Sequence, residues 1–226
     1  PGKWLPGCKQ GVKMSVIAQA GAKGRQLHKF GGSSLADVKC YLRVAGIMAE
    51  YSQPDDMMVV SAAGSTTNQL INWLKLSQTD RLSAHQVQQT LRRYQCDLIS
   101  GLLPAEEADS LISAFVSDLE RLAALLDSGI NDAADADLVG NGEGWAARLM
   151  SAVLNQQGLP AAWLDAREFL RAERAAQPQV DEGLSYPLLQ QLLVQHPGKR
   201  LVVTGVISRN NAGETVLLGR NGSDYS

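Results

Sequence analysis

Short apolar segments that end in glycine or alanine, each followed by a helical pattern, recur along this chain. Arg25–Phe30 is typical of a strand; a Gly-Gly pair ends it, and a helix is predicted from Ser34 to about Glu50. Met57–Ser61 is a second apolar segment, which runs into an Ala-Ala-Gly sequence before another helical pattern. Strands that alternate with helices in this way indicate an α/β fold with a mainly parallel sheet.

The rest of the chain continues the alternation and ends in a hairpin pattern. Further helices are predicted near Ser83–Gln86, from Pro104 to Gly129, from about Gly144 to Gln157 and around Leu188–Leu193. Strands are predicted at Ala161–Asp165, Leu201–Val206 and Val216–Leu218, with a turn at Asn210–Gly213. A chain of 226 residues without a clear linker fits one large domain or two small lobes.

The charge balance argues against nucleic acid as a partner. The 21 lysines and arginines face 23 acidic residues, which gives a net charge of −2 and a pI of about 5.9. A protein that binds the phosphate backbone of a nucleic acid needs an excess of basic over acidic residues, and this chain has none.

The cysteines and the apolar content of the chain indicate the cellular compartment in which it folds. Three widely spaced cysteines, without a CxxC pair, favour a reducing cytoplasm, and no apolar stretch approaches a membrane span. We interpret Pro1–Lys13, which precedes Met14, as sequence added ahead of a natural start, and leave it out of the fold.

The first candidate site is Lys29-Phe30-Gly31-Gly32-Ser33-Ser34, a lysine at a strand end before a glycine turn. Glycines let backbone N–H groups approach phosphate oxygens, and a helix N-terminus adds favourable partial charge. The GxxxxGK[ST] order of a Walker loop is absent. An ordinary turn with a solvated lysine is the alternative.

The second candidate is the loop Gly219-Arg220-Asn221-Gly222-Ser223-Asp224. An arginine can clamp a carboxylate with two hydrogen bonds, and an aspartate near a lysine can position it or a metal ion. By itself the pattern is equally that of a turn with a charged tip.

A third pattern imitates a dinucleotide-binding fingerprint. Gly142-x-Gly144-x-x-Ala147 precedes a helix and a strand that ends in Asp165. The preceding segment, Asn131–Asp137, makes a poor strand, so a Rossmann-type NAD(P) site is only a minor alternative.

Taken together, four separated segments resemble aspartate kinases in order and spacing. They are Lys29-Phe30-Gly31-Gly32-Ser33, Val59–Gly64 with Thr67-Asn68, Gly142-Glu143, and Gly219–Tyr225. The resemblance covers nearly everything from Leu27 to Ser226 and is strongest to the start of the bifunctional members that also carry a homoserine dehydrogenase. It implies the amino-acid-kinase fold of the carbamate-kinase-like type, a three-layer αβα sandwich. The N-terminal lobe of that fold binds the amino acid and the C-terminal lobe binds ATP.

By that resemblance, the reaction is phosphoryl transfer from ATP, carried with Mg²⁺, to the β-carboxylate of L-aspartate. This is the first step of lysine, threonine and methionine biosynthesis. Lys29 is expected to neutralise charge on the transferring group and Asp224 to hold the lysine arrangement in place. Arg220 is expected to clamp the α-carboxylate of aspartate and Glu143 to bind its ammonium. The flanking polar contacts to the substrate are Ser33, Ser61 and Thr67. The residues expected along the phosphate are Gly31, Gly32, Gly222 and Ser223.

Two departures from the family pattern raise further expectations. Gly144, Ala146 and Val206 replace the residues usual around the amino-acid site, which suggests an altered pocket or substrate choice. The chain also stops before the nucleotide-binding segment, so residues 14–226 are expected to be an amino-acid-binding lobe with doubtful turnover. A non-catalytic amino-acid-binding fragment is therefore the main alternative. Self-association through an uncovered sheet edge, or pairing with a missing C-terminal portion, is expected as well.

Overall fold

In the part of the chain that the structure describes, a four-stranded parallel sheet lies at the centre. The structure is a computed structural model that describes residues 24–128, 132–205 and 207–218, without the side chains of residues 132–134. The sheet strands are β1 (Leu27–Phe30), β2 (Met57–Val60), β3 (Ala161–Leu164) and β4 (Arg200–Thr204), in the spatial order β1-β2-β4-β3. All three pairings are parallel, with Phe30 beside Val60 and Val60 beside Thr204. The carboxyl ends of the strands therefore meet along one edge of the sheet.

Within the described residues, six helices connect the strands. They are α1 (Val38–Tyr51), α2 (Thr66–Thr79), α3 (Arg81–Leu102), α4 (Ala105–Asp127), α5 (Asp132–Gln156) and α6 (Glu182–Gln195). Two 3-10 helices, Gly32–Leu35 and Ala166–Glu168, follow the carboxyl ends of β1 and β3. A separate antiparallel hairpin is formed by β5 (Ile207–Arg209) and β6 (Thr215–Leu217).

The two faces of the sheet bury different apolar clusters. Phe30, Met58 and Val202 belong to a large core with residues of α1 to α5, because alternate side chains of a strand point to one face. Val59 and Val203, on the opposite face, join a smaller core with Leu193 of α6. Helices therefore cover both faces of the sheet, which confirms the predicted α/β fold with three αβα layers.

The predicted hairpin turn and the strand after it are confirmed, but the first strand of the hairpin is β5, whereas the strand predicted before the turn corresponds to β4 of the parallel sheet. The turn lies at Asn210–Gly213, where Gly213 adopts a positive φ of 85° and donates its N–H to the Asn210 carbonyl. Glycine meets this conformation without the strain that a Cβ would add. The prediction for Val206 lies outside the described residues.

The start of α1 differs from the prediction. We expected the helix to open at Ser34, but Ser34 lies in a 3-10 helix and α1 begins at Val38. Asp37 is the N-cap, because its carboxylate accepts the N–H of Cys40 at 2.8 Å.

The predicted start of α5 at Gly144 is wrong by about three turns, because the helix already begins at Asp132. The alanine-rich sequence before Gly140 favours a helix, since alanine has the best helix propensity. This correction also argues against the interpretation as a Rossmann-type NAD(P) site. Gly142, Gly144 and Ala147 lie inside a helix, whereas a dinucleotide fingerprint needs them at a strand-to-helix turn.

Candidate functional site

Two glycine-containing loops meet where β1 and β2 end. The Ser61 N–H donates to the Phe30 carbonyl at 3.1 Å, and the Gly64 N–H donates to the Gly32 carbonyl at 2.9 Å. A Cβ on Gly32 would lie 2.6 Å from the backbone oxygen of Ala62, closer than atoms can approach. Only glycine fits there, so the absence of a side chain lets the loop after β1 lie directly against the loop after β2.

Two side chains of helix α3 form hydrogen bonds to the segments that follow β1 and β2. The Tyr94 hydroxyl donates to the Ala36 carbonyl at 2.9 Å and lies 2.6 Å from where a Cβ of Gly64 would stand. The neighbouring Gln95 amide donates to the Thr66 hydroxyl at 2.9 Å, and both of these side chains are buried. These contacts fix the loops relative to the helical core.

Helix α5 brings a carboxylate up to these loops. A Cβ on Gly142 would lie 3.0 Å from both the Ala62 Cβ and the Thr66 Cγ2, so the absence of a side chain lets α5 lie against the loop after β2. The next residue, Glu143, is only 5% exposed. Its Oε2 atom has no hydrogen-bond partner among the described residues.

The surroundings of Glu143 destabilise the ionised form of its side chain. Burial, together with a smaller effect of the nearby Asp165 carboxylate, raises the pKa of this carboxyl to about 8. A cation placed beside Glu143 would supply the missing partner and favour the ionised form. The carboxylate is thus suited to bind an ammonium group.

Asp165 and Asp137 share one guanidinium beside this position. Arg167 donates to both oxygens of Asp165, with the shortest distance 2.6 Å, and to Asp137 Oδ1 at 2.9 Å. It also donates to the Thr215 hydroxyl at 3.3 Å, and that hydroxyl donates to Asp137. Sequence reasoning missed this group; the signal available was the Asp-x-Arg sequence directly after a predicted strand.

The structure brings six of the predicted site residues to this edge of the sheet. They are Gly31, Gly32, Ser33, Ser61, Thr67 and Glu143. Lys29 lies in β1, partly exposed, and strand alternation directs it to the face opposite His28 and Phe30. Arg220, Gly222, Ser223 and Asp224 lie outside the described residues.

Two of the positions that depart from the family pattern, Gly144 and Ala146, lie in α5. Gly144 lies on a partly exposed stripe of α5, where an added Cβ would meet only the Arg148 guanidinium at 3.8 Å. Ala146 is buried in the large apolar core. Val206 is outside the described residues.

The described part of the chain contains neither a cluster of metal ligands nor a membrane-spanning helix. No group of three or more histidines, cysteines or acidic residues there is placed to hold a metal ion. No helix there combines the length and apolar content that crossing a bilayer requires.

Comparisons with known proteins agree on one family. The model of the amino acid kinase family matches residues 24–226. The chain is 96% identical to bifunctional aspartokinase/homoserine dehydrogenase 2 of Escherichia coli (strain K12) over 213 residues, 94% of this chain and 26% of that protein. Lysine-sensitive aspartokinase 3 of the same organism is 27% identical over 201 residues, 88% of this chain and 44% of that protein.

A solved structure shows the same fold. The crystal structure of E. coli aspartokinase III in complex with aspartate and ADP matches with a TM-score of 0.78 and 25% identity. The match covers 87% of this chain and 44% of that chain. The present chain thus spans about a quarter of the length of the bifunctional relative and less than half of the other two.

Proposed function

The chain belongs to the amino acid kinase family, and from this membership we propose that it serves ATP-dependent phosphorylation of the β-carboxylate of L-aspartate. The buried carboxylate of Glu143, whose Oε2 atom has no hydrogen-bond partner among the described residues, carries the proposal. It lies at the carboxyl edge of a parallel sheet, where α/β proteins bind their ligands. The 96% identity to an aspartokinase and the aspartate and ADP complex of a similar fold support it.

Glu143 binds the α-ammonium of the substrate in this proposal. Its charge is destabilised by burial and by Asp165, so the arriving ammonium restores a favourable ion pair. The partly buried side chains of Ser61 and Thr67, and Ser33 on the facing loop, supply polar contacts around the amino acid. A neutral ligand at this position would leave the carboxylate unpaired.

The glycine loop after β1 receives the phosphate in this proposal. Gly31 and Gly32 offer backbone N–H groups at the start of a 3-10 helix, where no side chain blocks the approach. Lys29 neutralises charge on the transferring phosphoryl group. Phosphoryl transfer needs chiefly positioning and charge stabilisation, which is what these groups provide.

The remaining roles belong to residues that follow β6 in sequence. Arg220 clamps the α-carboxylate, and Asp224 holds the lysine arrangement. Gly222 and Ser223 line the phosphate path. With both α-substituents held, the β-carboxylate is the free nucleophile that points at phosphorus.

Mg²⁺ is proposed to arrive with ATP and not to occupy a dedicated protein site. An added Cβ on Gly31 would meet nothing within 4 Å, which leaves open space for a phosphate group beside this loop. Bound to the phosphate oxygens, the ion would reduce their negative charge. We place the reaction in a reducing compartment, the cytoplasm, in keeping with the free thiols of Cys40 and Cys96.

A second candidate function is amino-acid binding without turnover. The observation that favours it is the buried Glu143 Oε2, which suits an ammonium ligand whether or not ATP is used. The two candidates differ in whether ATP is consumed.

The test is hydroxamate trapping of β-aspartyl phosphate formed from ATP and L-aspartate. Lys29→Met is expected to abolish the product, whereas Lys39→Met, at an exposed lysine of α1, is expected to retain it. Calorimetric binding of L-aspartate to Glu143→Gln, with Glu120→Gln on the exposed side of α4 as control, tests the ammonium site. Aspartate binding without product would favour the second function, and neither binding nor product would refute both.

A further inference from the structure

One tyrosine hydroxyl of α3 lies between the two loops that meet at the carboxyl edge of the sheet. The Tyr94 hydroxyl donates at 2.9 Å to the carbonyl of Ala36, the residue that ends the 3-10 helix after β1. A Cβ on Gly64, in the loop after β2, would lie 2.6 Å from the same hydroxyl and 3.5 Å from the Ala36 Cα. The hydroxyl, the loop after β1 and the loop after β2 therefore meet at one point.

The contacts that hold the loop after β1 differ in how precisely they direct it. Leu35 is fully buried and packs in the large apolar core, but apolar contacts are non-directional. A hydrogen bond, in contrast, restricts both a distance and an angle. Ala36 accepts one such bond from Tyr94, and Gly32 accepts another from the Gly64 N–H at 2.9 Å. Together these two bonds set the position of the loop after β1 relative to α3 and to the loop after β2.

The Tyr94 hydroxyl keeps its proton throughout the neutral pH range. Burial, with smaller effects of Asp37 and Cys40, raises the pKa of Tyr94 to about 12. The hydroxyl is therefore available as a donor to the Ala36 carbonyl at neutral pH. Only a substitution removes this donor under conditions in which the rest of the site keeps its charge.

The two loops contact different substrates in the proposed function. Gly31 and Gly32, after β1, receive the phosphate, whereas Ser61 and Thr67, on either side of the loop after β2, contact the amino acid. Phosphoryl transfer requires the acceptor oxygen in line with phosphorus. A misplacement of about 1 Å can lower the rate about 100-fold. The relative position of the two loops therefore controls the distance between the reacting groups.

We propose that Tyr94 is a positioning residue that sets the loop after β1 against the loop after β2 and thereby aligns the β-carboxylate with the transferring phosphoryl group. This inference rests on the proposed function. Tyr94 touches neither substrate and acts through Ala36 and Gly64. Loss of its hydroxyl leaves each loop able to bind its own substrate and impairs the step that needs both.

The test compares Tyr94→Phe with Tyr186→Phe. Each substitution removes a single phenol oxygen, and Tyr186 is a matched control because it is 64% exposed on α6, which packs on the other face of the sheet. A third variant, Tyr94→p-aminophenylalanine, restores a donor at the same position of the ring. The variants are made in an aspartokinase that carries this sequence as its N-terminal part.

Two measurements separate alignment from folding. The hydroxamate assay gives kcat, the KM for L-aspartate and the KM for ATP, and calorimetry gives the number of L-aspartate sites per chain. Tyr94→Phe is expected to lower kcat about 10- to 100-fold, with both KM values within about threefold of the parent and an unchanged number of sites. Tyr94→p-aminophenylalanine is expected to recover most of kcat, and Tyr186→Phe to match the parent.

The outcomes separate this inference from the function on which it rests. An unsubstituted enzyme that phosphorylates no aspartate overturns the proposed function and the positioning role together. An active enzyme in which Tyr94→Phe has the kcat of Tyr186→Phe overturns the positioning role alone. A fall in kcat that is matched by an equal fall in the number of aspartate sites would also overturn it, because that result reflects lost folding and not lost alignment.

Discussion

Replacement by alanine at two glycines of α5, Gly142 and Gly144, should change the stability of the protein in different directions. Glycine in a helix interior costs about 1 kcal/mol relative to alanine. Gly144→Ala and Gly142→Ala therefore bring the same gain in helix propensity, and they differ only in what the new methyl group contacts. At Gly144 the new Cβ would meet only the Arg148 guanidinium at 3.8 Å, an ordinary contact with a flexible group. Gly144→Ala is therefore expected to stabilise the protein by about 1 kcal/mol.

At Gly142 the same methyl group would be crowded. It would lie 3.0 Å from the Ala62 Cβ and the Thr66 Cγ2, and 3.2 Å from the Leu70 Cδ1. Overpacking of a buried contact costs about 1–3 kcal/mol, which cancels or exceeds the gain in helix propensity. Gly142→Ala is expected to be about 0–2 kcal/mol less stable than the parent.

The assay is urea denaturation of the parent and both variants, supported by thermal melting. For a chain of this size, 1 kcal/mol corresponds to a shift in Tm of about 2–4 °C. Gly144→Ala should melt above the parent and Gly142→Ala at or below it. If Gly142→Ala proved as stable as Gly144→Ala, the close approach of α5 to the loop after β2 would be refuted.

Three further predictions concern the glycine loop and two buried titratable groups. Gly32→Ala should abolish aspartate phosphorylation and lower the Tm, because its Cβ would lie 2.6 Å from the Ala62 carbonyl oxygen; a normal rate in the hydroxamate assay would contradict this. Burial raises the pKa of Glu143 to about 8 from 4.5, so the fold holds a proton that the unfolded chain has released, and the contribution of Glu143 to the free energy of unfolding should fall as pH rises through that window. Between urea titrations at about pH 5.5 and about pH 7.5, the parent should therefore lose stability relative to Glu143→Gln, and a constant difference between the two would exclude this role of Glu143. Burial lowers the pKa of His28 below 6.5 despite Asp56 at 3.7 Å, so stability should be lost as pH falls below about 6.5, and His28→Phe should blunt that loss in the same titrations.

The parts of the fold that depend on neighbouring residues could be predicted from the sequence. The strand before Gly31 and the hairpin turn at Gly213 both follow from local conformational preferences, and both are present. The site residues after β1 and β2 come together because parallel strands end at one edge of the sheet. Glu143 reached the site list only through the resemblance to aspartate kinases, and its burial and unpartnered oxygen come from the structure.

The parts that depend on distant contacts could not be predicted in this way. Three glycines between Gly140 and Gly144 resemble a loop, and only the packing of Ile207 and Ala62 against two of them shows why a helix tolerates them. The bonds from Arg167 reach residues 30 and 48 positions away, beyond the range of any local pattern. Shared guanidinium groups of this kind are set by tertiary structure.

The order β1-β2-β4-β3 has a consequence for the time course of synthesis. β2 pairs with β4 and not with β3, and the contact of Asp55 with Gly198 beside that pairing joins residues 143 positions apart. At about 5–20 residues per second, a ribosome needs roughly 7–30 s to deliver β4 after β2 has emerged. During that interval the apolar β2 strand has an open edge that can pair with another nascent chain. Translation speed between α2 and β4 should therefore influence how much of this protein reaches its native sheet.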